Sequence, residues 1–297
     1  MLAAFSGAIY LLTDANELFW ITTGAAPMHR RAASVSSRLP EAAAGAAFHV
    51  QGGRLRIGSA MAIDLEGACV WHAPALHPDS LLDLTELPDI IRAFFSGLDL
   101  PEARGFGIFI PDILALSTGG IAGPPSESAD PILRRARPLV LDAARACLEH
   151  RPGPNLQALV GLGAGLTPSG DDFLGGLLFA LNTLQAAFPA SPFGDHAIPV
   201  GSWEARTHPI SFTLLQDLAG GHAVAPLHRL VNGLLEGDAP ESMLPFVRQV
   251  TQIGGSTGWD LLAGSITGLL SVRREDPSIP SVRTIQNTQA QEGMQWT

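Results

Sequence analysis

Apolar residues recur with two different periods along this chain, and the change of period divides it. From Phe5 to about Trp71 short runs alternate or cluster over four to six residues, as in Ala8-Ile9-Tyr10-Leu11-Leu12 and Leu18-Phe19-Trp20-Ile21-Thr22, with Thr13-Asp14-Ala15-Asn16 as the turn between them. Arg54-Leu55-Arg56-Ile57-Gly58 alternates after the Gly52-Gly53 turn, and Met61-Ala62-Ile63-Asp64-Leu65 repeats the pattern. These runs predict an antiparallel strand-rich half, either a sheet or a small barrel, with a first strand starting at Met1. Between Pro78 and Gly123 the signals are mixed: Leu81 to Phe95 reads as two short helices, and Gly105 to Leu116 as an apolar loop or strand.

From Asp130 the period becomes helical, with Ile132, Leu133, Ala136, Leu139, Val140, Ala143, Ala144 and Cys147 on one broad face. The turn Arg151-Pro152-Gly153-Pro154 ends that helix. Further helices are expected at about 168–187, 208–219, 225–236, 241–252 and 258–271, each with a hydroxyl, Pro or acid near its start and Gly near its end. After Arg273 the chain turns polar and proline-bearing, which predicts a poorly ordered tail. The fold class expected is therefore α+β: a strand-rich region over 1–125, a helical bundle over 126–272 and a tail over 273–297.

Two helix starts in the second half repeat each other 88 residues apart (257 − 169). Ser169-Gly170-Asp171-Asp172-Phe173-Leu174-Gly175-Gly176 and Thr257-Gly258-Trp259-Asp260-Leu261-Leu262-Ala263-Gly264 both read hydroxyl, Gly, any residue, Asp, apolar, Leu, small, Gly. Each follows a glycine-rich lead-in, Gly161-Leu162-Gly163-Ala164-Gly165-Leu166-Thr167-Pro168 and Gly254-Gly255-Ser256. Helical spacing puts Ser169, Asp172, Phe173 and Gly176 on one face, and Thr257, Asp260, Leu261 and Gly264 likewise.

One reading is structural: Ser-x-x-Asp and Thr-x-x-Asp are capping boxes, with Gly176 and Gly264 letting helices pack closely. Another is functional. Gly170 and Gly258 each cost about 1 kcal/mol relative to Ala inside a first turn, so something should need bare backbone there. The alternating Gly161, Gly163 and Gly165 can present amides to an anion, and Thr167 before Pro168 offers a second cap that would leave the Ser169 hydroxyl free. Charge limits the functional reading, because Asp171 and Asp172 repel a bare phosphate at the same helix end. Either Asp172 and Asp260 share a Mg²⁺, or one of them carries a proton or accepts from an amide while Arg supplies the positive charge. In Arg206-Thr207-His208-Pro209, Thr207 is the expected N-cap and Arg206 the candidate cation, with a salt bridge to Glu204 as its structural alternative. Candidate binding residues are thus Gly163, Gly165, Thr167, Ser169, Gly170, Thr207, Ser256, Thr257 and Gly258.

Composition removes whole classes of chemistry. Of 297 residues, 46% are apolar and 15% charged, with 18 cations, none of them lysine. A Walker A loop, a Schiff base and a Ser-Lys dyad are therefore excluded within this chain, and arginine must clamp any anion. A net charge of −10, with Arg134-Arg135-Ala136-Arg137 as the densest basic cluster, argues against nucleic acid. No apolar run reaches the roughly 18 residues of a membrane span, so neither a membrane nor a secretion leader is expected and the chain reads as cytoplasmic. Two cysteines and nine histidines show no zinc spacing, and His72 and His77 flank a proline as turn residues do.

The segments Gly161–Gly176, Arg206-Thr207 and Gly254–Gly264 together resemble the AllH family, which includes a subunit of a multi-subunit oxamate carbamoyltransferase. The resemblance implies a carbamoyl transfer on a small anionic ureido acid, oxalurate and phosphate giving oxamate and carbamoyl phosphate, with other enzyme subunits as partners. It brings no assigned catalytic residues. The alternative is a ligand-binding or scaffold subunit whose catalytic centre lies on a partner.

Overall fold

A computed structural model describes residues 3–4, 7–24, 26–39, 45–59, 61–98, 102–123, 130–149, 156–189 and 200–272. The expected strand start at Met1, the turn at 151–154 and the tail at 273–297 lie outside the described residues. The chain forms two compact units, one of residues 1–74 with 222–228, the other of the remainder.

In the first unit the strand runs pair as two small sheets. β1 (Ala3–Ala4), β2 (Ala8–Leu12), β3 (Leu18–Thr23) and β4 (Ala32–Val35) lie in that order, with Tyr10 opposite Trp20 and Leu11 opposite Phe19. β5 (Phe48–Gln51), β6 (Arg54–Ile57) and β7 (Met61–Asp64) form an antiparallel meander. Alternation sets the buried faces: Leu55 and Ile57 point in and Arg54 and Arg56 out, and they join Ile9, Leu11, Ile21 and Leu39 in one core. One pairing departs from the expected antiparallel pattern, since β4 runs parallel to β3.

The second unit is helical. α1 (Leu87–Ser96) is followed by a short 3-10 helix (Gly105–Phe109) that runs directly into α2 (Ile110–Leu116). The run Gly105 to Leu116 is therefore helical, not a loop or strand. Pro111 in the first turn and the buried set Ile110, Ile113 and Leu114, at i, i+3 and i+4, are the helical signal that an apolar run this short hides. α3 (Pro131–Leu148), α4 (Ser169–Ala187), α5 (Pro209–Ala219), α6 (Ala225–Glu236, of which residues 225–228 are counted in the first unit), α7 (Pro240–Thr251) and α8 (Thr257–Leu269) follow at the places the periodicity predicts.

α4 and α8 carry the repeat and pack on each other as the core of this unit. They run parallel, since Ser169 meets Ser256, Ser265 donates to the Gly176 carbonyl, and Gly268 lies against Ala180. Glycine makes the approach possible in a reciprocal way. A Cβ on Gly176 would overlap the Leu261 backbone, and a Cβ on Gly264 would overlap the Phe173 carbonyl, each contact being the other shifted by one repeat. Every residue of α4 from Gly170 to Ala180 and every residue of α8 after Thr257 is buried, so over these stretches neither helix keeps a polar face.

Gly264→Ala is expected to cost about 3 kcal/mol through forced separation of two backbones. Gly201→Ala, where an added Cβ meets nothing within 4 Å, should change stability by less than about 0.5 kcal/mol. Urea denaturation of the two variants measures the difference.

Candidate functional site

The starts of α4 and α8 do not form the capping boxes that their sequences suggest. Ser169 and Thr257 are the first helical residues, the N-cap positions belong to Pro168 and Ser256, and neither helix has a side-chain cap bond. Backbone does the capping instead: the Gly170 amide donates to the Leu162 carbonyl at 2.8 Å and the Gly258 amide to the Ile253 carbonyl at 3.0 Å. The glycines are needed because the Leu159 and Val250 carbonyls press where a Cβ would stand. Gly170 and Gly258 thus serve close backbone packing, and their amides are not left for an anion.

With the hydroxyls released from capping, both carboxylates turn into the junction of the two helix starts. Asp172 is 5% exposed and Asp260 is 0% exposed. Asp260 Oδ1 accepts from the Phe106 amide at 2.5 Å, an approach that depends on Gly105. That residue has φ +53°, and a Cβ there would collide with the Asp260 carboxyl. Asp172 Oδ2 and Asp260 Oδ2 are buried with no hydrogen-bond partner. Above them sit four half-buried hydroxyls, Thr167 facing Thr257 at 3.0 Å and Ser169 facing Ser256 at 3.4 Å. The arrangement is crossed, since Thr257 of α8 lies by Asp172 and Ser169 of α4 lies by Asp260.

Burial dominates the electrostatics. It pushes Asp172 well above the ordinary carboxylate range, and the charge of Asp260 adds to the rise while the Thr257 and Thr167 hydroxyls oppose it. Burial also raises Asp260, to about 6, with the Phe106 amide and the Ser169 and Ser256 hydroxyls holding it down. Of the two carboxyls, Asp172 is thus the one whose neutral form burial and the neighbouring charge favour more.

The other sequence candidates take separate places. Thr207 is not an N-cap: His208 caps α5, its Nδ1 accepting from the Ile210 amide at 3.2 Å. Thr207 instead donates to Asp171 Oδ2, which also accepts from Ser211 Oγ at 2.6 Å, while Asp171 Oδ1 accepts from the Gly161 amide at 2.7 Å. Asp171, 2% exposed, is thus fully engaged in clasping the glycine loop to α5. The loop keeps its left-handed glycines at 161, 163 and 165, but the Gly161 amide is spent on Asp171 and Gly163 lies against the Ser169 amide. Gly165 is exposed with open space at its Cα. Arg206 is exposed and donates to Gln157 Oε1 at 3.3 Å rather than pairing with Glu204. Sequence reasoning missed Gly105 and Phe106, whose only signal was a glycine on each side of an aromatic residue, and Ser211. Among the described residues no group of three or more His, Cys, Asp or Glu side chains is placed to hold a metal. No described helix is long and apolar enough to cross a membrane.

The second unit is thus built on a parallel, glycine-packed helix pair closing over two buried carboxyls, with the loops that precede the helices completing the site. Residues 159–269, which span both copies of the repeat, match the model of the family described as oxamate carbamoyltransferase subunit AllH, and over this stretch the chain is similar to that family. No solved structure matches the chain.

A carboxyl whose pKa is higher in the folded than in the unfolded chain stabilises fully below its unfolded value and loses that stabilisation as pH rises through its folded value. For Asp260 the window runs from 3.8 to about 6; for Asp172 it extends higher. Asp172→Asn keeps the shape without the charge, so its Tm relative to the unsubstituted chain should climb between pH 5 and pH 8. An offset that stays constant over that range, read by scanning calorimetry, would mean that Asp172 does not hold the proton.

Proposed function

We propose that this chain is a subunit of a carbamoyl-transferring enzyme acting on a small anionic ureido acid, and that the paired helix starts of α4 and α8 hold the proton the transfer requires. The observation that carries this reading is the pair of buried carboxyls, each with one oxygen unpartnered, beneath four hydroxyls. In phosphorolysis of oxalurate, a phosphate oxygen attacks the carbamoyl carbon, the carbon–nitrogen bond breaks, and oxamate leaves as an amide nitrogen needing a proton. Hydrogen phosphate has that proton to give. A pair with one protonated and one ionised carboxyl takes a proton at one oxygen while delivering one from the other, so the exchange leaves it unchanged. The Ser169, Ser256, Thr167 and Thr257 hydroxyls, lying between the carboxyls and solvent, relay it to the substrate. Arg206 offers its guanidinium fork to the substrate carboxylate.

Mg²⁺ is the alternative occupant of the same two oxygens. Asp172 Oδ2 and Asp260 Oδ2 would be its protein ligands, and it would neutralise the phosphate charge, with water and substrate filling the other positions. Addition of Mg²⁺ that raises the Tm of the chain, and not of Asp260→Asn, would favour the metal over the proton.

A second reading has its own support: the Gly161, Gly170 and Gly258 amides are engaged within the chain, as a purely structural motif requires. On that account the chain is a scaffold or ligand-binding subunit beside partners that hold the catalytic centre.

In the enzyme assembled with its partner subunits, Asp172→Asn and Asp260→Asn are each expected to lower kcat about 100-fold or more, with assembly intact. Arg206→Gln should raise KM for the ureido acid and leave kcat within about threefold. Assemblies that contain the Asp variants and turn over at the unsubstituted rate would leave the scaffold reading standing.

A further inference from the structure

Far from the aspartate pair, the second unit has a cleft of about 900 Å³ between α1, the end of α2, the end of α3 and the residues that follow α8. It is separate from the carboxyl site: Leu270 on its wall is ten residues beyond Asp260, which is roughly 15 Å along a helix. Its size lies within the range of small-molecule sites. Its walls combine apolar side chains, Leu116, Leu148, Leu270 and Val272 among them, with two guanidinium groups from different helices, Arg92 of α1 and Arg145 of α3.

Neither arginine is fully used. Arg92 is held in place, its side chain 19% exposed, by Asp89 one turn earlier and by long bonds from Nη1 to Ser117 O and Oγ at 3.5 and 3.3 Å. A guanidinium has five N–H donors, so this set leaves some for the cleft. Partial burial already lowers the Arg92 pKa by desolvation, so an anion arriving there meets a poorly hydrated cation. Arg145 makes no ion pair among the described residues. Its position in the last turn of α3 complements the helix dipole, but that accounts for its place on the helix and not for its lining the same cleft as Arg92. Both guanidinium groups line one cavity, although the charge of Arg92 is already partly offset by Asp89. Of the acids in the cleft, Asp89 is bonded to Arg92 and Glu149 is engaged in an interaction of its own, which leaves Arg145 as the cation without an acidic partner among the described residues.

We propose that this cleft is a second ligand site, for a small organic oxyanion whose carboxylate or phosphate lies between Arg92 and Arg145 and whose apolar body lies on the leucine wall. The ligand is an amphiphilic acid and not inorganic phosphate alone, since the cavity is several times larger than one oxyanion and Leu116, Leu148, Leu270 and Val272 line it.

Thermal shift and calorimetric titration of the full chain test this with benzoate, phenyl phosphate, inorganic phosphate and benzyl alcohol. Benzoate or phenyl phosphate at millimolar concentration is expected to raise the Tm by at least 2 °C, and which of them acts more strongly names the head group. Arg145→Gln, an exposed substitution that should leave the unliganded Tm within 1 °C, removes the shift, whereas Asp172→Asn retains it. Absence of a shift with both aromatic acids, an equal shift with benzyl alcohol, or a shift undiminished in Arg145→Gln overturns the proposal. These outcomes are independent of the carbamoyl-transfer reading, which the Asp172 and Asp260 variants test.

Discussion

The contact on which the second unit depends is the backbone-to-backbone approach of α4 and α8 at Gly176 and Gly264. No side chain larger than hydrogen fits at either crossing point, and the two crossings are the same contact seen from opposite helices. Because the helices run parallel, this approach brings their N-termini together. Two positive helix ends side by side are unfavourable unless something negative lies between them. The aspartates at the fourth position of each helix meet that need from within the chain, so the packing and the chemistry of the site share one cause.

The cost of that solution explains the rest of the junction. Two carboxylates cannot both remain ionised in a dry site, and burial raises both pKa values, Asp172 further than Asp260. Burial is the largest cause for both and hydroxyls oppose it at both; what differs is that Asp260 also receives a main-chain amide from Phe106, whereas Asp172 also meets the negative charges of Asp260 and Asp171. A nearly two-fold arrangement is thereby made unequal. Hydroxyls suit the layer above because each can donate to one group and accept from another, which caps that were already spent on helix amides could not do.

Much of this was legible in the sequence. The 88-residue repeat named both aspartates, the helical period located α3 to α8 within one or two residues, and the alternation of Arg54 to Ile57 gave the inner and outer faces of β6. What escaped reading was contact between segments distant in sequence. Gly170 and Gly258 were recognised as costly, yet their cause lies in the Leu159 and Val250 carbonyls, which no spacing rule reveals. The capping boxes were plausible from local pattern and failed because each helix starts one residue earlier, so the Asp172 and Asp260 amides already donate to the Pro168 and Ser256 carbonyls. Gly105 and Phe106 lay in an apolar stretch whose length fits a strand as well as a helical turn, and only the fold brings them to Asp260, 154 residues away from Phe106.

The repeat also shows how equal beginnings acquire different work. At the third helical position α4 has Asp171 and α8 has Trp259. Asp171 gathers the Gly161 amide, Thr207 and Ser211, so the first copy fixes its own lead-in loop and α5. Trp259 packs where Gly107 leaves room, so the second copy fixes the segment that delivers the Phe106 amide. Each third residue therefore secures one wall of the junction, and the fourth residue of each helix is left to face the interior. Exchanging the two would put an unpaired carboxylate against Gly107 and an indole into the Gly161 loop, and the carboxyl pair would lose both its supports.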